Sequence, residues 1–294
     1  NKFVHYAYEG HNISALSQNS ITCSFIDKTG SLWIGTFSGG VDYTNLKRKE
    51  FIHFKAGKDD NHFLSSSNTY SIQEDTRGNL WIGTDNGLNL LDRTTYTFKY
   101  FTNDPANPYS ISYNDIKALE LDNKGNLWIG TNRGGLNYYD TQTERFTYYM
   151  NDPSDPGSIS GDKLYGLLSD INNDLWILTN SNIDNQVSHI DVLPNGSDRF
   201  VNLLEEAYFG FEQNKNGDVY IGGIDGFWIF HRSDSVFQFV SNEDIIGKVR
   251  TIKIDSRDKI WIGSDKGLVR YDPVSELFAW FFVDNGYPVS EVFG

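Results

Sequence analysis

The sequence predicts an all-β fold, and three observations predict it. The 294 residues include 20 Phe, 17 Tyr and 7 Trp beside 27 Gly. Aromatic side chains suit pleated surfaces and glycines suit tight turns, so this mixture favours strands joined by short reversals. No stretch longer than about ten residues carries the apolar stripe of an amphipathic helix. Finally, one short phrase recurs six times along the chain.

The repeated phrase runs Asp27-Lys-Thr-Gly30-Ser-Leu-Trp33-Ile-Gly35-Thr36 in its first copy. Its second and third copies begin at Asp75 and Asp122. A decayed fourth begins at Asp170, with Asn173 and Leu178 in place of glycines. The fifth begins at Asn214 and has Tyr220 instead of Trp; the sixth begins at Asp255. The anchors Trp33, Trp81, Trp128, Trp176, Tyr220 and Trp261 are 48, 47, 48, 44 and 41 residues apart. Four short strand signals within such a period are the mark of a propeller blade. Residues 1–294 are therefore read as one β-propeller of four-stranded antiparallel blades.

Each unit parses in order. An apolar run such as Ile21 to Ile26 or Ile116 to Leu121 is the first strand. The Asp-x-x-Gly turn reverses it, with the carboxylate accepting backbone N–H bonds and Gly supplying positive φ. Asp27, Asp75, Asp122, Asp170 and Asp255 are thus read as structural. Leu-Trp-Ile-Gly-Thr is the second strand, its Trp predicted to be buried between blades. A glycine six positions later (Gly39, Gly87, Gly134, Gly226, Gly267) marks the next hairpin. The third strand follows, and an aromatic fourth strand, such as Phe98 to Phe101, closes the unit.

The termini add strands beyond the six units. Phe3 to Tyr6 fits a fourth-strand slot ahead of the first unit, and Val289 to Phe293 resembles the start of another first strand. The reading preferred here is six complete units plus parts of a seventh, cut from a larger ring or array. A six-bladed ring with one extra edge strand is the other reading. The chain starts at Asn1 without a leader-like segment and reads as a mature or excised piece, which leaves its compartment open.

Charge and residue usage narrow the function. Lys and Arg number 25 against 39 Asp and Glu, a net charge of −14. That disfavours a nucleic-acid partner, whose phosphates need neutralising cations. The single Cys23 excludes an internal disulfide and reads as a small buried hydrophobe. The six histidines show no ligand-like H-x-x-x-H pair, and neither a G-x-S-x-G elbow nor a P-loop is present. No metal site, catalytic residue or cofactor is assigned.

The phrase Asp-x-x-Gly-x-Leu-Trp-Ile-Gly-Thr, followed by Gly-Gly-Leu-Asn-Tyr-Tyr-Asp at 134–140 or Gly-Leu-Asn-Leu-Leu-Asp at 87–92, resembles the two-component regulator propeller repeat. The resemblance covers essentially the whole chain. It implies the periplasmic sensor region of a Bacteroidetes hybrid histidine kinase, anchored in the inner membrane. It further implies an oligosaccharide ligand, a neighbouring propeller or other ectodomain as partner, and signalling through a homodimer. On this reading the chain is itself non-catalytic. A scaffold or adhesion propeller, and a propeller polysaccharide lyase or hydrolase, are the alternatives.

Recognition is expected where loops cluster at one end of the blades. There lie Asn103 to Tyr109 and Asn151 to Pro156, which lead into new blades. The loops between second and third strands add Phe37, Asp85, Asn86, Asn132, Arg133, Asn180, Asn182, Asp225, Asp265 and Lys266. Planar polar groups with a few aromatics suit a sugar or a peptide, although the same residues are ordinary turn formers. The irregular segment 180–187 is either a lid, a ligand contact or brace, or simply drift. Ligand binding is expected near Arg133 and that segment.

Overall fold

A computed structural model describes residues 6–45, 50–57, 61–180, 188–205, 210–242, 246–284 and 287–293. The strands follow the repeats. The first sheet holds β1 (Ile21–Ile26), β2 (Ser31–Thr36), β3 (Gly40–Asn45) and β4 (Ile52–Phe54). The second holds β5 (Thr69–Glu74), β6 (Leu80–Thr84), β7 (Gly87–Asp92) and β8 (Thr97–Phe101). The third holds β9 (Ile116–Leu121), β10 (Leu127–Thr131), β11 (Leu136–Asp140) and β12 (Arg145–Tyr149). The fourth consists of β13 (Lys163–Ser169), β14 (Leu175–Asn180), β15 (Ser188–Leu193) and β16 (Val201–Glu205). The fifth consists of β17 (Phe211–Gln213), β18 (Val219–Gly222), β19 (Gly226–His231) and β20 (Val236–Ser241). The sixth begins with β21 (Val249–Ile254), β22 (Ile260–Ser264), β23 (Gly267–Asp272) and β24 (Leu277–Asp284).

Hydrogen bonding runs first to fourth strand in every sheet. The fold is an all-β, six-bladed propeller of four-stranded antiparallel sheets. The chain divides into two compact units, Asn1–Leu167 and Leu168–Gly294, with the boundary inside β13. Within the first unit β1 packs beside β5 and β5 beside β9, so first strands neighbour first strands. Within the second, β21 packs against β17 and β18.

The expected seventh blade is corrected. β25 (Tyr287–Phe293) pairs antiparallel with β24, from Asp284↔Tyr287 to Phe278↔Phe293, as a fifth strand on the sixth sheet. An exposed strand edge offers unpaired backbone groups, and a following strand satisfies them at once by folding back. Residues 3–5 of the N-terminal strand proposed at 3–6 lie outside the described residues. Among those described, no separate seventh sheet forms.

The turn chemistry explains the hairpins. In all six units one side-chain oxygen at the first turn position accepts two backbone N–H bonds. Asp27 Oδ1 takes Thr29 and Ser31 at 2.9 Å each; Asp122 Oδ1 takes Lys124 and Asn126 at 2.9 and 2.7 Å. Asn214 Oδ1 does the same with Asn216 and Asp218, so the Asp-to-Asn change is neutral for the turn. The fourth turn residue is left-handed in each copy, at Gly30 (φ 80°) and at Asn173 (φ 61°) alike. Asn tolerates that region, which is why the fourth hairpin survives without its glycine.

The glycine two residues after the anchor serves packing. A Cβ on Gly83 would lie 2.4 Å from Ser71 Oγ and 2.7 Å from Ile116 Cγ2, the latter on the next sheet. Its absence lets β9 close against β6. In the fourth sheet Leu178 occupies this place and is itself buried.

The anchors are less uniform than predicted. Trp33, Trp81, Trp176 and Tyr220 are buried, whereas Trp128 and Trp261 are half-buried. Trp81 meets Tyr139 of the following sheet at 5.5 Å between centroids, and Trp176 meets Phe230 at 5.0 Å. Trp128 instead packs on Tyr138 and Tyr149, and Trp261 on Phe281, all from their own sheets. Cover from one's own sheet leaves part of an indole in solvent.

Candidate functional site

The loops leading into each blade are braced from within. Ser112 N donates to Asn137 Oδ1 (2.9 Å), and Asn137 Nδ2 returns a bond to Ser112 Oγ (2.7 Å). Ser65 and Asn89 repeat this pair in the second blade. Ser17 and buried Asp42 provide it in the first, where His53 Nδ1 also meets Asp42 at 2.6 Å. The other His53 nitrogen faces the Ile13 carbonyl at 2.7 Å, and Asp42 stands between His53 and Ser17. The trio is a brace, since the imidazole does not address the hydroxyl. Its sequence signal was a serine 16 residues before the first three Trp anchors, at Ser17, Ser65 and Ser112.

The loop from Asn103 to Ser110 is held by its own side chains. Asn103 Nδ2 donates to the Ile111 carbonyl (2.9 Å), Asp104 N to Ser110 Oγ (3.0 Å), and Ser110 Oγ back to the Asp104 carbonyl (3.0 Å). The loop at 151–158 repeats these bonds through Asn151, Asp152 and Ser158. Arg145 stacks 4.3 Å above Tyr109 and pins the first loop further.

Beside that loop lies a cleft of about 430 Å³ within the first unit. Asp104, Asn107, Tyr113, Arg133, Tyr148 and Met150 are among its walls. Arg133 is exposed, and its guanidinium has no partner among the described residues. Tyr113, Tyr148 and Met150 each present part of an apolar surface. A planar fork of N–H donors beside partly exposed tyrosine rings can hold a polar ligand and cover its apolar side. The volume falls in the range of small-molecule sites.

The other expected site residues fare differently. Asp85 Oδ2 accepts from Asn68 Nδ2 (2.6 Å), Asn132 Nδ2 donates to Asp115 Oδ2 (2.8 Å), and Asp265 Oδ1 accepts from Lys248 N (2.8 Å). In all three cases the bond joins a hairpin loop to the loop leading into the first strand of its own blade. Asn86 Nδ2 holds the Ser65 carbonyl, and Phe37 projects half-exposed from its loop. Asp225 takes a left-handed φ of 55°, a turn role. Lys266 is exposed and Asn180 half-buried. Asn182 and the rest of 181–187 lie outside the described residues. Of the expected set, Arg133 and, from the leading loop, Asn103, Asp104 and Asn107 line the cleft; Tyr113, Tyr148 and Met150 were missed because they stand on a leading loop, an outer strand and its exit.

The opposite end of the sheets carries the Asp turns and two arginine plugs. Arg93 Nη2 reaches Asp27 Oδ2 (2.7 Å) and its Nη1 reaches Glu74 Oε1 (3.1 Å), with the guanidinium 5.4 Å over the Trp33 ring. Arg232 reaches Asp170 at 3.0 Å and Asp174 at 3.4 Å. Burial pushes the Asp27 carboxyl up, but bonds from Thr29, Trp33 and Ser31 and the Arg93 charge hold it at about 2. Cys23 is half-buried, and desolvation pushes its thiol up to about 12, which leaves it unreactive. Among the described residues no group of three His, Cys, Asp or Glu side chains is placed to hold a metal ion.

Residues 15–38, 64–86 and 110–133 match the family described as Two component regulator propeller. Each segment spans a leading loop, first strand, Asp turn and second strand. The chain is a β-propeller resembling that family. Among solved structures, an extracellular domain assigned to a hybrid two component system of B. thetaiotaomicron superposes with a TM-score of 0.73 at 20% identity. That match covers 94% of this chain and 39% of the other, so the chain spans about two fifths of that relative. Virginiamycin B lyase from Staphylococcus aureus gives 0.65 at 12% identity, over 93% and 84% of the two chains. PorZ, a surface component of the type-IX secretion system of Porphyromonas gingivalis, gives 0.62 at 14%, over 85% and 38%. No curated protein matches the chain. These identities speak to fold. No helix among the described residues is long and apolar enough to cross a membrane.

Proposed function

We propose that this propeller is a ligand-recognition module of an extracytoplasmic two-component sensor, binding an oligosaccharide without converting it. The cleft at Arg133 carries the reading. It joins an unpaired guanidinium to the partly exposed rings of Tyr113 and Tyr148, beside a loop held by its own hydrogen bonds. Preorganised loops lower the ordering cost of binding. The repeat match to the two component regulator propeller family supports a signalling context, with periplasmic placement, an inner-membrane anchor and a histidine kinase elsewhere in the protein. A second copy or a neighbouring ectodomain would convert occupancy into a change of subunit geometry.

The net charge of −14 bears on the ligand. A densely anionic polymer would approach against the field of the whole protein, so a neutral or singly acidic oligosaccharide suits the cleft better. The test is incubation with a panel of oligosaccharides, melting curves to find binders, and mass spectrometry of the recovered sugars. Binding with intact sugar is expected. New reducing ends or unsaturated products would assign a hydrolase or lyase instead; a panel without any melting shift would favour a scaffold or adhesion role.

A further inference from the structure

The grooves between neighbouring sheets at the Asp-turn end are filled unequally. Arg93, one residue past β7, plugs the groove between the first and second sheets. Arg232, one residue past β19, does so between the fourth and fifth. The residue at this place is Thr141 after β11 and Pro273 after β23. Neither side chain reaches across, and both grooves stay open, with volumes of about 510 Å³ and 450 Å³.

The groove between the second and third sheets also contains an orphan donor. Trp33, Trp176 and Trp261 each donate Nε1–H to the Oδ2 of their turn aspartate at 2.9–3.0 Å. Trp81 does not. Its buried Nε1 has no partner, because Asp75 Oδ2 accepts instead from Asn79 Nδ2 at 3.2 Å. Leaving a buried donor unpaired is costly, so the fold forgoes stability here. Trp81 is 2% exposed and lines the groove, so only a group inserted there can take this proton.

The surrounding charges select the sign of that group. Arg77 and Lys124 flank the groove, both exposed, and neither side chain has a partner among the described residues. Lys99 is neutralised by Glu144 at 2.9 Å, and Asp75 is occupied by its own turn and by Asn79. The second acid that anchors Arg93, Glu74, corresponds by strand register to Leu121. The groove therefore lacks the second carboxylate that helps hold Arg93; its own acids, Asp75 and Glu144, are engaged by their turn and by Lys99, and the unpaired charges on its walls are the cations Arg77 and Lys124.

We propose that this groove is a second ligand site, at the opposite end of the blades from the Arg133 cleft, and that it takes a small carboxylate. One carboxylate oxygen accepts from Trp81 Nε1–H at the floor, while Arg77 and Lys124 balance the charge at the mouth. The proposal is independent of any oligosaccharide bound at Arg133.

Succinate is the probe, with neutral succinamide as its control. The indole N–H resonances of the intact chain are followed by two-dimensional NMR, the Trp81 signal being assigned by its loss in Trp81→Phe. A saturable shift of that signal with succinate, and none with succinamide, is expected. Calorimetry should show at least tenfold weaker succinate binding in Trp81→Phe and Arg77→Gln. It should show no binding in Thr141→Arg, which puts a guanidinium at the place Arg93 holds in the neighbouring groove. Residues 77 and 141 are exposed, so these two variants test the site even if Trp81→Phe unfolds. No succinate shift, an equal response to succinamide, or unchanged affinity in Arg77→Gln and Thr141→Arg would overturn the proposal.

Discussion

Trp33 Nε1 donates to Asp27 Oδ2 at 2.9 Å, which joins the second strand of a blade to the turn six residues upstream. The same bond forms between Trp176 and Asp170 and between Trp261 and Asp255. It fails where asparagine follows the turn glycine. Asn79 and Asn126 donate to the Oδ2 of Asp75 and Asp122, and Tyr138 Oη adds a further bond to Asp122. One residue thus decides whether the anchor indole is satisfied by its own repeat.

Asn79→Ser should release Asp75 Oδ2 and allow Trp81 to adopt the bond of the first blade. A gain of about 1 kcal/mol is expected, the net worth of a typical buried hydrogen bond. Urea unfolding of the variant beside the parent measures it; an unchanged midpoint would show that the indole cannot reorient.

Arg93→Ala should destabilise the protein by about 3 kcal/mol, since Asp27 and Glu74 are left as buried carboxylates without their cation. Arg93→Lys should recover only part of this, because an ammonium cannot span both acids as the guanidinium fork does. Equilibrium denaturation of both variants is the measurement. Equal stability of Arg93→Ala and parent would remove the plug from the account.

Acid should unfold the protein through these same turns. Asp27 is held at about 2 in the fold, whereas an unfolded aspartate titrates near its ordinary value of about 4. The unfolded chain therefore takes up protons first. The stabilisation is complete above about pH 4 and lost as pH falls toward about 2. The Lys259 ammonium beside Asp272 holds that half-buried carboxyl at about 2 as well, in the same direction. Melting temperature measured from pH 7 to 2 should fall steeply at the acid end, and the fall should be shallower in Asp27→Asn. Parallel curves for the two proteins would contradict this assignment.

Gly83→Ala should cost about 1–3 kcal/mol through overpacking, since its Cβ would meet both Ser71 Oγ and Ile116 of the next sheet. A cavity in place of the contact would leave the melting curve unmoved.

The fold was legible because the repeated phrase is itself structural chemistry. Asp27 caps its turn, Gly30 reverses it, Trp33 fills the space behind it, and Thr36 Oγ1 closes the next hairpin onto the Gly40 carbonyl at 2.9 Å. All of this is local, so it survives in the spacing. The arginine plugs were not legible, because Arg93 meets Asp27 across 66 residues and nothing near either one announces the pair. The last strand was misplaced for a related reason. A run such as Val289 to Phe293 pairs equally well as a first strand or as an outer edge, and only the neighbouring strand decides. At the loop end, Asp85 and Asn132 bridge loops, and because bridging loops and contacting a ligand require the same side chains, residue type does not separate the two roles. Arg133 stood out already in the sequence, and the structure adds that its guanidinium has no partner among the described residues.

The most direct test of the recognition account is calorimetric titration of the chain with an oligosaccharide that raises its melting temperature, repeated with Arg133→Ala and Tyr148→Ala. Both residues line the cleft and both are exposed, so neither change should disturb the fold. The account predicts a loss of affinity of about tenfold or more for each, near 1.4 kcal/mol, with the sugar recovered intact. Unchanged affinity in both variants, or a cleaved sugar, would contradict it.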